Sequence, residues 1–520
     1  MGDRVRKSIL NAEVNLLFYF LSLFFTFYSR KIFLNCLGTE FIGLTGTLGS
    51  ILGYLNLAEL GITASISYFL YKPLQSDNKV EVQEIMSVLG YLYNWIGAII
   101  FAGGIIVSLL FPFIFSHEQL GLGIVYFTFY SFLGSSLIGY FINYRQILLS
   151  ADQKNYLVAV YFQSAGLVKI GLQIVLALYF RNLYLWVSIE FLFGILGCII
   201  LNWKINKEYP WLKANKSEGR ILMKKYPKIL RNTRQIFIHN IKDFVLRKSD
   251  EIFIFAFVSL QMVAFYGNYM LIINKITLLF HSVLESVNAS IGNLVAENDK
   301  KKIMSVFWEL MTIRHFVAGL LCFGIYHFIE PFISLWLGCE YIMDHRILVL
   351  LVIFVYITHS RGVVDAFNHA YGLYADVWSA WTELIINVTI TIVCGFRWGI
   401  IGILLGKIVS LFIIVIFWKP YYLFRSGFKL PVQLFWQGAI RYYIIYAIAF
   451  ACGTFCTSYL PISPYEGYLQ WLSYCILSLA AWLIIETTLL ILFAKGARQC
   501  IHRIKSIASN EILHHHRKLQ

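Results

Sequence analysis

The sequence is poor in charged residues, which make up 14% of its 520 positions, whereas 59% are hydrophobic and 17% aromatic. Soluble domains carry about 25% charged residues, so this balance excludes an ordinary soluble protein. Apolar runs of about 20 residues recur along the chain, and each is long enough to cross a bilayer as a helix. The composition therefore predicts an all-α polytopic membrane protein.

Several chemical signatures are absent from the sequence. There is no GxxxxGK[ST] motif, so direct use of ATP is not expected. No nucleophile–base motif stands out, and no predicted outer loop is longer than about ten residues. Both observations argue against an enzyme such as a membrane-embedded glycan polymerase or ligase. The nine cysteines are scattered without a CxxC pair, so we expect no disulfide framework, metal site or cofactor.

The net charge of +15 does not indicate binding to nucleic acid, because most of the 43 Lys and Arg fall in loops on one side of the predicted membrane. Such an excess marks the cytoplasmic side. An even number of spans then places both termini in the cytoplasm.

The apolar runs predict about 14 transmembrane helices. These are residues 15–36, 41–70, 85–111, 121–144, 156–180, 183–203, 236–258, 263–295, 303–337, 347–371, 377–395, 399–417, 439–459 and 469–494. The domains that follow are an N-terminal six-helix lobe (1–203), a basic cytoplasmic linker (204–235), a C-terminal six-helix lobe (236–423), the extra helices 13 and 14 (424–495) and a basic cytoplasmic tail (496–520).

The two halves of the chain share short matches in the same order. They are Ile85-Met-Ser-Val88 with Ile303-Met-Ser-Val306, Pro112-Phe-Ile114 with Pro331-Phe-Ile333, Ala151-Asp152 with Ala375-Asp376, and Phe180-Arg181 with Phe396-Arg397. Each half holds six spans, so both begin on the same side of the membrane. The sequence therefore predicts a parallel repeat, with a pseudo-twofold axis along the membrane normal that relates the two lobes.

The span 236–258 is unusual because it carries six charged residues. They are Lys242, Asp243, Arg247, Lys248, Asp250 and Glu251. Each charge facing lipid at the bilayer centre would cost about 2.5–3.5 kcal/mol, so we expect this helix to line a protein interior or a water-filled cavity. Arg247 lies one helical turn from both Asp250 and Glu251 and is expected to pair with them.

Two pairs of bases are the predicted substrate site. The repeat aligns Arg247 and Lys248 with Arg30 and Lys31 of the first span. A cavity lined by these four cations suits an anionic substrate, and a guanidinium group can bind phosphate oxygens in a bidentate manner. The alternative is that Arg30 and Lys31 extend to the outer headgroups and that 236–258 ends its polar half at an interface.

Carboxyl groups inside spans form a second set of candidates. Glu59, Asp250 and Glu285 are candidate ion-coupling residues, and Asp365 and Glu383 share their intramembrane position. The alternative is that each acid pairs with a nearby base and is structural. The bases in question are Lys169, Lys275, Arg314, Arg361 and Lys407.

Four glycines in the second span, Gly43, Gly46, Gly49 and Gly53, are three or four residues apart and so share one helix face. We expect close helix packing there, with a bend as the alternative.

Several motifs resemble those of the polysaccharide-biosynthesis flippases. They are Leu37-Gly38 with Gly43-Leu44, Leu57-Ala-Glu-Leu-Gly-Ile62, Leu70-Tyr-Lys-Pro-Leu74, Ser150-Ala-Asp-Gln-Lys154 and Tyr266-Gly-Asn-Tyr269. These O-antigen and capsule flippases belong to the multidrug/oligosaccharidyl-lipid/polysaccharide (MOP) exporter superfamily, together with lipid II flippases and MATE drug exporters. The resemblance covers about residues 8–425 and is stronger in the N-terminal half.

The resemblance implies a flippase of the bacterial inner membrane that moves an undecaprenyl-diphosphate-linked oligosaccharide from the cytoplasmic to the periplasmic leaflet. It also implies the lipid bilayer, polysaccharide polymerase and assembly proteins as partners. A MATE-type cation-coupled drug exporter and a lipid II flippase are the alternatives, the latter because of the extra helix pair.

Overall fold

The computed structural model describes residues 2–59, 61–116, 118–285, 288–373 and 375–503. Regular structure within these ranges is helical, and no strand occurs in them. Contacts divide the chain into two compact units, Met1–Gly267 and Asn268–Gln520. The predicted all-α class is confirmed, whereas the domain bounds and the pseudo-twofold axis stay predictions.

The helices of the first unit are α1 (Gly2–Leu37), α2 (Thr39–Leu55), α3 (Ile62–Gln75), α4 (Lys79–Ser108), α5 (Phe111–Ile114), α6 (Leu122–Phe141), α7 (Gln146–Ala151), α8 (Asn155–Val158), α9 (Ser164–Phe180), α10 (Leu183–Glu208), α11 (Gly219–Lys225) and α12 (Pro227–Phe257). The next helix, α13 (Leu260–Glu285), begins in the first unit and ends in the second.

The remaining helices belong to the second unit. They are α14 (Asn288–Ala296), α15 (Lys300–Trp336), α16 (His345–Ser360), α17 (Gly362–Ala370), α18 (Val377–Trp398), α19 (Ile400–Leu411), α20 (Lys419–Tyr422), α21 (Gln433–Ser458) and α22 (Tyr468–Phe493). Short 3₁₀ or π turns connect several of them.

Twelve helical stretches of the described chain are long and apolar enough to cross a membrane. The two other predicted spans are helical as well, since 41–70 corresponds to α2 and α3, and residues 236–257 of the other span lie within α12. α12 is not among the twelve apolar stretches because it carries many charged residues. The protein is therefore a multi-pass membrane protein, as predicted.

The predicted second span is interrupted in its middle. A 3₁₀ turn, Asn56–Glu59, separates α2 from α3, and Gly61 has a φ of 90°. A Cβ at Gly61 would lie 2.7 Å from the carbonyl oxygen of Thr233, so glycine is required both for the backbone angle and for the space. The break places the carboxyl group of Glu59 at an irregular point in an otherwise apolar span.

α12 begins at Pro227, earlier than the predicted start at residue 236. Proline suits the first turn of a helix because its missing N–H would have no partner there. The added turns are anchored on α3, since Ser65 Oγ donates a 3.0 Å hydrogen bond to the carbonyl oxygen of Ile229. Part of the sequence predicted as a basic linker is therefore helix.

The predicted twelfth span ends at residue 417, but this end is wrong, because helical turns continue to Phe428. Leu423 and Phe424 are fully buried there, and the ring of Phe307 contacts those of Phe424 and Phe428. Burial of these apolar side chains favours continued helix over a solvated loop.

Candidate functional site

The acids of α12 are held by hydroxyl donors from other helices of the first unit. Asp250 is 5% exposed, and its Oδ2 accepts a 2.7 Å hydrogen bond from the hydroxyl of Tyr266. Oε2 of Glu251 accepts a 2.5 Å hydrogen bond from Ser50 Oγ, across the contact between α12 and α2. One oxygen of each carboxyl group therefore has a hydrogen-bond donor within the first unit, as polar groups removed from water require.

Two bases lie beside these acids. Arg30 is half-buried, and one of its terminal nitrogens donates a 3.1 Å hydrogen bond to the carbonyl oxygen of Ala264. Lys248 is exposed, and its aliphatic stem runs past Gly53, where a Cβ would lie 3.5 Å from Lys248 Cδ. Arg30 and Lys248 both act electrostatically on Glu251. We refer to Arg30, Lys248, Asp250 and Glu251 as the α12 cluster.

The other predicted site residues are placed differently. Lys31 is exposed, and within the described residues no hydrogen bond or ion pair joins it to the α12 cluster. The side chains of Arg247 and Glu285 lie outside the described residues. Arg30 and Lys248 both lie near Glu251, and the proposed roles of these two bases, like those of Lys31, Arg247 and Glu285, stay predictions.

The charges of the α12 cluster balance in number but differ in access. Its described members carry two positive and two negative charges. The carboxylates are occupied by Tyr266 and Ser50, whereas Lys248 is exposed and Arg30 half-buried. Lys248 is therefore the most exposed member of the cluster, Asp250 is buried, and Arg30 and Glu251 are both half-buried.

Glu59 occupies a separate position in the first unit. Its two carboxylate oxygens each accept a 2.7 Å hydrogen bond, one from the hydroxyl of Tyr93 and one from that of Tyr140. Thr63 adds a third donor at 3.2 Å. The described residues thus surround Glu59 with hydroxyl groups and provide no basic partner. Glu59 therefore stays a candidate ion-coupling residue.

Two of the bases named as possible partners lie in ion pairs, Arg361 with the candidate acid Asp365 and Lys169 with Glu190, which was not a candidate. Nε of Arg361 lies 3.1 Å from an oxygen of Asp365. Nζ of Lys169 lies 2.5 Å from Glu190, which also accepts a hydrogen bond from Gln173. Lys169 therefore contributes no uncompensated positive charge.

The residues that sequence reasoning missed are the hydroxyl partners. Ser50, Tyr93, Tyr140 and Tyr266 hold the carboxylates, but each comes from a different helix. Tyr266 belongs to Tyr266-Gly-Asn-Tyr269, one of the motifs on which the family resemblance is based, but the sequence did not predict that it donates a hydrogen bond to Asp250. Only the position of polar side chains in apolar spans could have indicated the others.

Two aspartates that match in the predicted repeat fix loop segments in their own units. Asp152 receives a 2.7 Å contact from Lys154, which also lies 2.9 Å from Glu208. Burial alone would lower the pKa of Lys154, but the two neighbouring acids raise it above the usual value. Asp376 lies 2.7 Å from Lys419 and accepts a hydrogen bond from Trp418. Burial alone would raise the pKa of Asp376, but these partners lower it.

Replacing Asp376 with Asn should lower the free energy of unfolding by about 1–3 kcal/mol, because Lys419 loses its charged partner. The folded-state pKa of Asp376 lies below the unfolded value of about 4. Its stabilisation is therefore complete above that value and is lost as the pH falls through the folded-state pKa. Thermal unfolding in detergent should show a deficit for D376N at neutral pH that shrinks in acid.

Asp77 is the matched control for this test. Its side chain is 84% exposed and lies 3.8 Å from Lys79, so D77N should leave stability unchanged. Equal losses in both variants would contradict the assignment of Asp376 as a structural anchor.

Comparison with known proteins gives the fold a context. No family model matches the sequence, and no curated protein matches it. Among solved structures, the chain is similar to the lipid II flippase MurJ in an inward closed conformation, with a TM-score of 0.63 and 14% identity over 93% of this chain and 99% of that one. The chain therefore shares the fold of that structure.

A second solved structure supports the same assignment of the fold. It is an inward-facing multidrug resistance MATE family transporter of the MOP superfamily, with a TM-score of 0.55 and 16% identity over 79% of this chain and 95% of that one. At such identities the likeness establishes the fold alone. The polysaccharide-biosynthesis family stays a prediction.

Proposed function

We propose that this protein is a flippase that moves an undecaprenyl-diphosphate-linked oligosaccharide repeat unit from the cytoplasmic to the periplasmic leaflet. The translocated units would be used for the synthesis of O-antigen, capsule or exopolysaccharide. The observation that supports the proposal is the α12 cluster, in which the exposed Lys248 of α12 and the half-buried Arg30 of α1 lie near two acids that accept hydrogen bonds from Ser50 and Tyr266.

The chemistry of the cluster suits a lipid diphosphate. The guanidinium of Arg30 can grip two phosphate oxygens, and the exposed ammonium of Lys248 can add a point charge. Glu251 repels a phosphate, but its bond from Ser50 and the charges of Arg30 and Lys248 reduce that repulsion. The balance favours an anionic head group that is released again, which transport requires.

The energy source we propose is the membrane potential or an ion gradient. Each elementary charge that crosses 100 mV supplies about 2.3 kcal/mol. Glu59 and Asp250 are the described acids that would bind the coupling ion, since both sit inside spans and both accept hydrogen bonds from tyrosine. Glu285 stays a third candidate.

The test uses purified protein in liposomes that carry a fluorescent polyprenyl-diphosphate disaccharide in both leaflets. An impermeant quencher measures how fast the inner-leaflet lipid becomes accessible, with and without an imposed potential. We expect faster exchange than in protein-free liposomes and a further increase with potential. A polyprenyl monophosphate of the same length should exchange more slowly, because it offers the bases fewer oxygens.

A MATE-type exporter of organic cations is the second candidate. The observation that favours it is Glu59, which lies between Tyr93 and Tyr140, two rings that meet edge to face at 5.5 Å. A carboxylate with aromatic rings suits an organic cation. If the same liposomes accumulate ethidium but leave the lipid diphosphate where it is, the flippase assignment fails and this alternative replaces it. A preference for lipid II over other diphosphate lipids would indicate a lipid II flippase.

A further inference from the structure

A carboxyl group is also buried in α22, which belongs to the second unit, whereas the α12 cluster belongs to the first. Glu486 is 1% exposed, and its Oε2 has no hydrogen-bond partner among the described residues. The carboxyl group lies against Gly319 of α15, where a Cβ would be 2.8 Å and 2.9 Å from its two oxygens. Glycine at this position therefore makes the space that the acid occupies.

The groups around Glu486 are titratable but carry no permanent charge. Glu486 interacts electrostatically with Cys322 of α15, Tyr356 of α16 and Tyr446 of α21. Two arginines on these helices, Arg314 and Arg441, form no ion pair with Glu486 within the described residues. Arg314 donates to the carbonyl oxygen of Leu284, and Arg441 is exposed. Within the described residues, Glu486 has no counter-ion.

A short polar chain lies next to this acid. His315 precedes Gly319 by one helical turn, so the two residues share a face of α15. Nδ1 of His315 is 2.9 Å from the hydroxyl of Tyr356, and its Nε2 is buried without a hydrogen-bond partner. The ring of Tyr356 stacks on that of Tyr446 at 4.1 Å. Unpartnered polar atoms of α15 and α22 are thus enclosed within one packed bundle.

An ionised carboxylate in such a place would leave an uncompensated charge, which destabilises a protein interior by several kcal/mol. The neutral acid avoids this penalty. We propose that Glu486 is a proton-binding site, and that α22 packs on α15 only while Glu486 holds its proton. On release, the O–H bond breaks, its electron pair stays on the carboxylate, and water takes the proton once α22 has separated from α15.

This inference gives a role to the helix pair α21 and α22, which falls outside the predicted repeat. It does not depend on the identity of the transported substrate. A pair of helices whose docking responds to protonation would link its packing to the proton concentration on one side of the membrane.

The experiment is infrared spectroscopy of the purified full-length protein in bilayers. The difference between wild type and Glu486→Gln at neutral pH should contain the absorption of a protonated carboxyl group, shifted in D₂O and lost completely in the variant. Raising the pH should remove that absorption in the wild type. Hydrogen exchange of α22 should then increase beyond the intrinsic pH effect that the variant shows.

Two further variants keep the test decisive. Glu486→Leu removes the carboxyl group without adding an amide, so it replaces the Gln variant if that one fails to fold. Glu59→Gln is the control and should keep the absorption assigned to Glu486. If wild type and both Glu486 variants show the same protonated-carboxyl absorption, or if Glu486 is ionised at neutral pH, the proposal is overturned.

Discussion

Replacing Gly43 with Ala should strongly destabilise the protein, whereas the same change at Gly49 should leave it as stable or slightly more so. A Cβ at Gly43 would lie 1.8 Å from the carbonyl oxygen of Leu260 and 2.6 Å from its carbonyl carbon. A collision with backbone atoms is not relieved by a change of rotamer, so α2 and the start of α13 would have to separate. At Gly49 nothing lies within 4 Å of the added carbon.

The expected magnitudes follow from helix propensity and overpacking. Alanine is favoured over glycine inside a helix by about 1 kcal/mol, and both variants gain this. Overpacking typically costs about 1–3 kcal/mol, and a forced backbone shift falls at the upper end of that range. The protein is heated in detergent, and size-exclusion chromatography then measures how much of it is still folded. We therefore expect a large loss of folded protein for G43A alone. Equal stability of the two variants would contradict the packing of α2 against α13.

The spacing of the glycines in α2 shows which features of the packing could be predicted from the sequence. Spacing alone predicted a packed face, and the close approach at Gly43 confirms it. Spacing could not distinguish Gly43 from Gly49, because that difference depends on where α13 begins, more than 200 residues away. The same holds for the α12 cluster. The charges of 236–258 indicated a sheltered helix, but only the fold reveals that Ser50 and Tyr266 shelter its acids.

The misplaced helix ends have a similar cause. The predicted twelfth span ends at residue 417, and the stretch that follows contains Lys419, Pro420 and Arg425. Its helical conformation depends on the burial of Leu423, Phe424 and Phe428 against other apolar residues of the second unit. Local charge and proline content are visible in a sequence, whereas the partner surface that decides between loop and helix is not.

Replacing Arg30 with Ala should reduce transport of the polyprenyl diphosphate by about 10- to 100-fold, if the proposed function is correct. A hydrogen bond to a charged group contributes about 1.5–3 kcal/mol, and each 1.4 kcal/mol corresponds to a factor of ten. Arg30→Lys should lose less, because the charge stays while the bidentate geometry is lost. The liposome assay measures the rate at equal amounts of folded protein. Arg346, whose side chain is 78% exposed, is the matched control, and R346A should transport normally.

A loss in R30A alone would not separate substrate binding from charge balance, because Arg30 also acts on Glu251. The double variant R30A/E251Q makes that separation, since it removes one base and one acid together. If Arg30 only neutralises Glu251, the double variant should recover most of the wild-type rate. If Arg30 grips the diphosphate, neutralising Glu251 should restore little, since the bidentate donor is still missing. Full recovery would therefore withdraw Arg30 from the substrate site and leave Lys248 as the described base that meets the anion.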